Sequence, residues 1–223
     1  MEYQARKALA FDSVSGRSLR RRLSYEPVLK RALDLAVAVV VLVAALPLWL
    51  IIAAAIKLDS RGPVLHVQER VGLDGTRFRF FKFRSMHAGA ERMLPELLRL
   101  NEASGPVFKM RADPRVTRLG RILRRTSLDE LPQLINVIRG EMSLVGPRPP
   151  LPGEVARYRP SDRIRLTVKP GLTCLWQING RSECDFDQWM RYDREYVVTR
   201  SARLDLAILV RTLWAVLTCR GAY

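Results

Sequence analysis

The chain has 223 residues, of which 38 are Lys or Arg and 22 are Asp or Glu, giving a formal net charge of +16 at pH 7. This cationic balance indicates a polyanionic partner: nucleic acid, an anionic membrane leaflet or a phosphorylated substrate. The three cysteines are an odd number without C-x-x-C spacing, which argues against a disulfide framework and against a zinc site.

The N-terminal quarter divides into a polar part and an apolar part. Residues 1–24 are polar and basic, and we expect a disordered arm near a membrane surface. Residues 25–58 contain an uncharged run from Ala36 to Ile56, which meets the length of about 20 residues that a membrane-spanning helix needs. The sequence therefore predicts a membrane helix in this segment.

The flanks and the middle of this segment decide how it would sit in a bilayer. Lys and Arg cluster at both ends, whereas a spanning helix carries its positive excess on one side. Pro47 removes a backbone hydrogen bond in mid-segment, so we expect a kink there. These features favour a re-entrant helix that enters and leaves at the same face. The alternative is an ordinary spanning helix that tolerates its proline.

Residues 59–223 are expected to form a small folded domain that is α-rich with minor β structure. Short strands are predicted at 64–67 and 78–83, with a turn at 72–75. Helices are predicted at 91–100, 115–125, 127–138, 152–158, 160–166, 188–198 and 202–217. The last helix places six apolar residues on one side, which suits an interfacial amphipathic helix and equally a core-facing one. These residues are Leu204, Ile208, Leu209, Leu213, Trp214 and Leu217.

The local feature that points most directly to chemistry is the adjacent pair Asp129 and Glu130, which follows a run of cations. Phosphoryl transfer needs a nucleophile, a divalent cation and fixed positive charge on the phosphate oxygens. Carboxylates suit magnesium, and an aspartate can itself attack phosphorus. The alternative is a capping box, in which Ser127 caps a helix and Glu130 reaches back to its amide. The positive charge would come from Lys82, Arg124, Arg125 and Arg148.

Five blocks of the sequence resemble those of the monotopic bacterial sugar transferases, the polyprenyl-phosphate phosphoglycosyl transferases that start polysaccharide and glycoconjugate synthesis. The blocks follow in the family's order at residues 68–72, 80–86, 113–117, 126–149 and 169–181. The resemblance covers residues 26–223. The chain lacks the additional N-terminal transmembrane bundle of larger members. The chain is thus similar to the minimal catalytic form, and its last five residues resemble members that initiate exopolysaccharide.

This resemblance implies an enzyme that transfers a sugar 1-phosphate from a UDP-sugar to polyprenyl (undecaprenyl) phosphate and releases UMP. Asp129 would be the nucleophile that forms an aspartyl-phosphosugar intermediate, and Glu130 together with Asp129 would hold Mg²⁺. The re-entrant helix would be broken at Pro47, with the catalytic domain on the cytoplasmic face of the bacterial inner membrane. The substrate-binding positions implied by the resemblance are Lys82, Arg124, Arg148, Arg181, Asp193 and Asp205.

Two other interpretations stay open at this point. A membrane-tethered module that binds a polyanion fits the net charge, but the chain lacks the aromatic-rich motifs of an RNA binder, so we expect no nucleic acid partner. A catalytically silent scaffold of a polysaccharide assembly complex is the other alternative; the retained pair Asp129 and Glu130 argues weakly against it, since a capping role would also keep both residues. No motif reports on the C2 or C4 substituent of the sugar. An apolar interfacial surface would also suit a homodimer.

Overall fold

The computed structural model describes residues 27–180 and 184–218, with nothing on the side chains of residues 27 and 217. Within these residues the protein is helix-rich with two small two-stranded sheets, which confirms the predicted α-rich class with minor β structure. The predicted basic arm at residues 1–24 lies outside the described residues, as does Arg181.

The predicted single kinked helix is a pair of helices, α1 (Pro27–Ala44) and α2 (Leu46–Asp59). Pro47 is the second residue of α2, where an absent N–H leaves no helical hydrogen bond unmade. In the described part of the chain no single helix is long and apolar enough to cross a bilayer. The pair reaches that length and composition only together, with a bend of 60° between its members.

The first sheet is an antiparallel hairpin of β1 (Leu65–Val71) and β2 (Arg77–Phe83); β2 includes all of the predicted strand at 78–83, and β1 begins one residue later and ends four residues later than the strand predicted at 64–67. A short 3-10 turn, Leu73–Gly75, joins them where the sequence predicts a turn. Phe80 and Phe83 of β2 point into the core. Because strand residues two apart face the same way, Lys82 lies on the same face of the hairpin as Phe80, with Nζ 5.6 Å from the centroid of the Phe80 ring.

The remaining elements alternate short helices with a second, parallel sheet of β3 (Ser143–Val145) and β4 (Gly171–Thr173). The predicted helix at 91–100 is three short helical pieces, and Pro95 is the second residue of the four-residue helix in the middle. The helices are α3 (Leu94–Leu97), α4 (Arg118–Arg125), α5 (Gln133–Arg139), α6 (Pro152–Val155), α7 (Leu175–Ile178), α8 (Phe186–Thr199) and α9 (Ala202–Leu217), with 3-10 helices at Ala90–Met93, Leu98–Leu100, Leu128–Glu130 and Pro160–Thr167.

The N-terminal pair contributes to the same core as the rest of the chain. Ala38 of α1 is fully buried in a cluster that includes Phe80 and Leu134. Ile52 and Ile56 of α2 pack in a second cluster with neighbours from β2 and α4. The segment predicted to be a membrane element therefore also contributes to the hydrophobic core of the domain that follows it.

Buried polar contacts fix α1 to this domain. The Arg31 guanidinium donates to the carbonyl oxygens of Val137 at 2.5 Å and Ile138 at 2.8 Å, at the end of α5. A cation at this position is favourable because the carbonyl groups at the end of a helix carry a partial negative charge. The Asp34 carboxylate accepts a hydrogen bond from the Leu144 amide at 3.1 Å.

The end of α2 is held in the same way by the residue that follows β2. The Arg84 guanidinium is buried and donates to the carbonyl oxygens of Arg61, Ser60 and Ile56, the second at 2.7 Å. The carbonyl end of a helix carries a partial negative charge, so this contact also stabilises the helix dipole. Through Arg84 the apolar pair is joined to the strand that carries Lys82.

The last helix, α9, has the predicted bounds, but its apolar residues do not lie on one side. Ile208 is fully buried against the core, whereas Leu213 and Trp214 are about two-thirds exposed together with Leu206. The prediction of one shared apolar side is therefore wrong for Leu213 and Trp214. The helix packs by one face and exposes a second apolar face.

Candidate active site

The predicted lysine and acidic pair meet at the end of the hairpin. Lys82 Nζ lies 2.8 Å from Glu130 Oε1 and 3.7 Å from Asp129 Oδ2. Burial lowers the pKa of Lys82, while the charge of Glu130 opposes this shift. Since the sequence separates Lys82 from Glu130 by 48 positions, the fold itself assembles this cluster.

The turn that carries the two carboxylates is not a capping box. Ser127 has a φ of 58°, in the left-handed region, instead of the extended backbone of an N-cap, and only a 3-10 turn follows it. The predicted helix at 127–138 is consequently broken, and α5 begins at Gln133. The Glu130 carboxylate turns away from the Ser127 amide and pairs with cations instead, so the capping prediction is wrong.

Glu130 is held between two cations. Its Oε1 atom accepts hydrogen bonds from Lys82 and from Arg148 Nη1, each at 2.8 Å. Burial by itself would raise the pKa of Glu130, but Arg148 and Lys82 together lower the pKa far below the ordinary value. Glu130 is therefore ionised at every physiological pH.

Asp129 differs from Glu130 in its hydrogen bonding and in the direction of its pKa shift. Its side chain is 7 % exposed, and within residues 27–180 and 184–218 it accepts no hydrogen bond, Lys82 being its ion-pair partner. Burial raises the pKa of Asp129, Lys82 and the nearby arginines oppose this shift, and the charge of Glu130 adds to it. Two adjacent carboxylates whose pKa values are pushed apart suit two different roles.

Arg124 reaches the site because α4 docks closely on the end of β2. A Cβ atom on Gly120 would collide with the carbonyl oxygen of Ser85, so only glycine permits this approach. Arg124 Nε then donates to Ser85 Oγ at 2.9 Å, and its charge lowers the pKa of Asp129. Arg125, the neighbouring cation that the sequence offered, is exposed and has no ion-pair partner among the described residues.

Arg148 lies on the proline-rich loop at 146–150, which the sequence predicts to be stiff. The loop begins where β3 runs beside β4, and a Cβ on Gly146 or on Gly171 would collide with the other segment's main chain. Two glycines therefore allow the loop to start directly against β4. From there the Arg148 guanidinium extends to Glu130, and its pKa is raised because the Glu130 carboxylate outweighs the effect of burial.

The other predicted substrate-binding residues lie apart from this cluster. Asp193 is buried below the Arg148 loop, where Arg165 lies 2.8 Å away. Asp205 lies in the first turn of α9 and pairs with Lys30 at 2.5 Å, on the side where α1 meets the domain. The structure thus brings Lys82, Arg124 and Arg148 to the acidic pair and leaves Asp193 and Asp205 outside it.

Three side chains near the site received no role from the sequence. Arg70 is half-buried beside the Arg148 loop, where it donates to the Pro149 carbonyl oxygen, and Ser85 orients Arg124. His66 stands opposite Lys82 across the hairpin, and burial lowers its pKa, with the charge of Lys82 adding to the effect. Arg70 and Ser85 fall inside the blocks at 68–72 and 80–86, so the resemblance contained a signal for both of them.

The donor set fits a magnesium ion that is shared with substrate. The described residues contain no group of three or more His, Cys, Asp and Glu side chains that would hold a metal alone. Mg²⁺ is commonly bound by one or two carboxylates, several waters and the phosphates of a nucleotide. Asp129 Oδ1 and Oδ2, together with Glu130 Oε2, are carboxylate oxygens suited to this arrangement.

The family model for bacterial sugar transferases matches residues 25–219 of this chain. The chain belongs to the bacterial sugar transferase family. The matched region of this sugar transferase includes both helices of the bent pair, every residue of the acidic and cationic cluster, and α9 up to its end. The resemblance found in the five sequence blocks is thereby confirmed.

Three relatives of this sugar transferase carry names that report a product or an activity. Exopolysaccharide production protein ExoY of Sinorhizobium fredii is 40% identical over 198 residues, covering 87% of this chain and 88% of the relative. Galactosyl transferase CpsE of Streptococcus agalactiae is 38% identical over 230 residues, covering 97% of this chain and 51% of the relative. Undecaprenyl-phosphate galactose phosphotransferase of Salmonella typhimurium is 41% identical over 203 residues, covering 87% and 42%. This chain spans about half or less of the last two.

Proposed function

We propose that this sugar transferase moves a sugar 1-phosphate from a UDP-sugar to polyprenyl phosphate and releases UMP, as the first membrane step of exopolysaccharide or glycoconjugate synthesis. The names of the relatives support this reaction class. The observation that carries the proposal is Asp129: a buried carboxylate with a raised pKa, free acceptor capacity in the described part of the chain, and cations around it.

In the first half-reaction an Oδ atom of Asp129 attacks the phosphorus that bears the sugar. The bond between this phosphorus and the oxygen that bridges the two phosphates breaks, and UMP leaves with the electron pair. A carboxylate of raised pKa is a better nucleophile once ionised. Lys82, Arg124 and Arg148 lie where their charges stabilise the phosphate oxygens.

In the second half-reaction an oxygen of polyprenyl phosphate attacks the same phosphorus. The bond from phosphorus to Asp129 breaks, which restores the carboxylate and yields a polyprenyl diphosphate sugar. Low exposure of Asp129 limits the water that would otherwise hydrolyse the acyl phosphate between the two steps. The two substrates therefore use one nucleophile in turn, in a ping-pong course.

Magnesium would be held by Glu130 and Asp129 together with the phosphates of the donor. When bound, it supplies charge neutralisation on the diphosphate. Glu130 Oε1 is already engaged by two cations, so Glu130 Oε2 is the atom left for the ion. The two cations also fix the orientation of this carboxylate.

We further propose that the bent helix pair is re-entrant and that the active site faces the cytoplasm at headgroup depth. The outer faces of α1 and α2 expose large apolar residues such as Val40, Leu50 and Ile51, and α9 adds Leu213 and Trp214. Burial of such surface in lipid is favourable, and a prenyl carrier presents its phosphate at that depth. Flotation of the protein with lipid vesicles tests whether this apolar surface enters lipid. Flotation with the vesicles supports the proposal, and a stable dimer that does not float contradicts it.

Cysteine labelling tests re-entrance itself. In a variant without the native cysteines, single cysteines replace Leu29 and Leu58, which lie near the two ends of the pair and are exposed. A membrane-impermeant maleimide should label both positions in inverted inner-membrane vesicles and neither in intact spheroplasts. Labelling of one position from each side would show a spanning segment.

The reaction is tested by UMP release from a panel of UDP-sugars. Purified protein in nanodiscs receives magnesium and undecaprenyl phosphate, and the wild type is compared with Asp129→Asn. Release from one donor that needs magnesium and Asp129 supports the proposal and identifies the sugar. Silence with every donor, from folded and lipid-bound protein, would return the scaffold interpretation.

A further inference from the structure

The loop that carries Arg148 is fixed almost entirely through its carbonyl oxygens. Residues 147, 149 and 150 are prolines, which have no N–H to donate. Four successive carbonyl oxygens of this loop nevertheless each accept a hydrogen bond. Those of residues 147 to 150 accept in turn from Gly171 N at 2.9 Å, Arg165 Nη2 at 2.8 Å, Arg70 Nη1 at 2.9 Å and Val71 N at 3.0 Å.

Two of these donors are main-chain amides of the sheets, and two are arginine side chains. Arg165 is the donor to Arg148 itself, and it is buried, with its side chain 5 % exposed. Its other terminal nitrogen, Nη1, donates to the Tyr158 hydroxyl at 2.6 Å. A buried guanidinium needs a counter-charge, because removing it from water is costly.

Asp193 supplies that counter-charge. Its Oδ2 atom lies 2.8 Å from Arg165 Nη2, and its side chain is 2 % exposed. Burial raises the pKa of Asp193 to about 6, and the charge of Arg165 opposes this shift. A carboxylate at this depth does not reach a substrate directly, so its effect on the reaction passes through Arg165.

We infer that Arg165 and Asp193 are positioning residues that hold the main chain at Arg148, so that its guanidinium meets Glu130 and the donor phosphates. The inference rests on the proposed function and adds two residues to its machinery. The connection runs from Asp193 to Arg165, from Arg165 to the Arg148 carbonyl, and from the Arg148 guanidinium to Glu130 Oε1. Each link is a direct contact.

A double-mutant cycle tests this connection. Asp193→Asn alone should lower kcat/KM for the UDP-sugar by about 10–100-fold, the usual effect of disturbing an outer partner of a site. Because its effect passes through Arg148, Asp193→Asn should cost almost nothing more in an Arg148→Ala background. Independent, multiplicative losses would overturn the inference, since a purely structural role gives that result.

The chain offers a matched control on the same helix. Asp187→Asn removes an equal charge from α8, but Asp187 is exposed and pairs with exposed Arg159 at 2.7 Å. Its kcat/KM should equal that of the wild type. If Asp193→Asn does not fold, Arg165→Lys and Tyr158→Phe replace it in the cycle. The first variant retains a cation, and the second retains an aromatic ring.

Hydrogen exchange provides a readout that does not depend on turnover. Asp193→Asn should speed exchange at the amides of Gly146 and Val71, which frame the loop, and Asp187→Asn should not. Unchanged exchange at both amides in folded Asp193→Asn protein would contradict the inference even if the reaction is confirmed. Faster exchange in a protein that releases no UMP would support the positioning role of Asp193 and Arg165 and reject the proposed function instead.

Discussion

Two clusters in this molecule each place one lysine between two carboxylates, and they differ in how those carboxylates are satisfied. In the cluster that fixes α1, Lys30 lies 2.5 Å from Asp205 and 3.9 Å from Asp34. Asp34 also accepts from the Leu144 amide, and Asp205 accepts from the Tyr196 hydroxyl at 2.9 Å. Both carboxylates are thus bound by neutral donors of the fold as well as by the lysine.

In the active-site cluster the carboxylates face cations alone. Lys82 and Arg148 bind Glu130, Arg124 lies nearby, and Asp129 accepts no hydrogen bond in the described part of the chain. The three cations exceed the two carboxylates by one charge, which suits a ligand that brings negative charge of its own. Burial of charge is therefore common to both clusters, whereas unused acceptor capacity beside excess cations distinguishes Asp129, the proposed nucleophile, from Asp34 and Asp205.

The largest expected difference lies between Asp129 of the active-site cluster and Asp205 of the cluster that fixes α1. Asp129→Asn should lower turnover by on the order of 10⁴-fold or more, as loss of a nucleophile does, while the protein still folds. Asp205→Asn should retain turnover per folded molecule and lower the free energy of unfolding by about 1–3 kcal/mol, because Tyr196 and Lys30 lose an ionised partner. UMP release and denaturant unfolding on both variants measure this contrast.

Equal loss of turnover in both variants, at equal folded fraction, would contradict this difference between the clusters. Asp205 would then belong to the reaction as the family resemblance implies. Hydrogen bonds from the fold to a carboxylate would then not distinguish a structural carboxylate from a catalytic one.

Glu130→Gln should have the next largest effect. The amide leaves Lys82 and Arg148 without their shared counter-charge and weakens the proposed ligand for magnesium, so we expect turnover to fall by about 10²–10³-fold. The magnesium concentration that gives half-maximal rate should rise as well. A magnesium titration of both proteins measures this, and an unchanged titration curve with reduced rate would remove Glu130 from the metal site.

Gly120→Ala tests how closely α4 must approach the hairpin. The new Cβ would meet the Ser85 carbonyl, so we expect a loss of about 1–3 kcal/mol in stability and a reduced rate, because Arg124 moves with α4. Gly153→Ala is the control, since open space surrounds a Cβ there and its stability should change by less than about 1 kcal/mol. Equal stability of the two variants would contradict the close approach.

The smallest predicted effect is a shift in pH dependence. Asp129 must be ionised to attack, and its pKa is raised, so kcat/KM should fall as the pH decreases through that pKa. Arg124→Gln removes a cation that lowers this pKa, so the acid limb should move to higher pH by less than about one unit. Arg125→Gln, which changes an exposed arginine, should leave the limb in place. A shift to lower pH in Arg124→Gln would show that another group sets the limb.

Local patterns in the sequence predicted the elements that local forces determine. The apolar run with Pro47 predicted a bent helix, and alternating aromatics predicted β2. The motif Ser127-x-x-Glu130 predicted a capping box, and that prediction is wrong because distant cations bind Glu130 more favourably. Lys82 is 48 positions away and Arg148 is 18, and no local pattern reports such partners.

The acidic residues of the C-terminal third show the same limit. The family resemblance placed Asp193 and Asp205 with the substrate-binding residues, but a resemblance carries no information about depth or partner. Asp193 pairs with Arg165 and Asp205 with Lys30 in the folded chain. Likewise, α9 was predicted to have one apolar side, and only the packing of Ile208 reveals that a second apolar face stays exposed.

Trapping the covalent intermediate that we propose on Asp129 is the most direct experiment on the reaction. Protein in nanodiscs is mixed with magnesium and its UDP-sugar in the absence of undecaprenyl phosphate, quenched in acid, digested and analysed by mass spectrometry. We expect a sugar phosphate on the peptide that contains Asp129, and this modification should disappear when undecaprenyl phosphate is added before the quench. Full turnover with the carrier, but an unmodified Asp129 peptide at every time point without it, would rule out the covalent intermediate and indicate direct transfer between the two substrates.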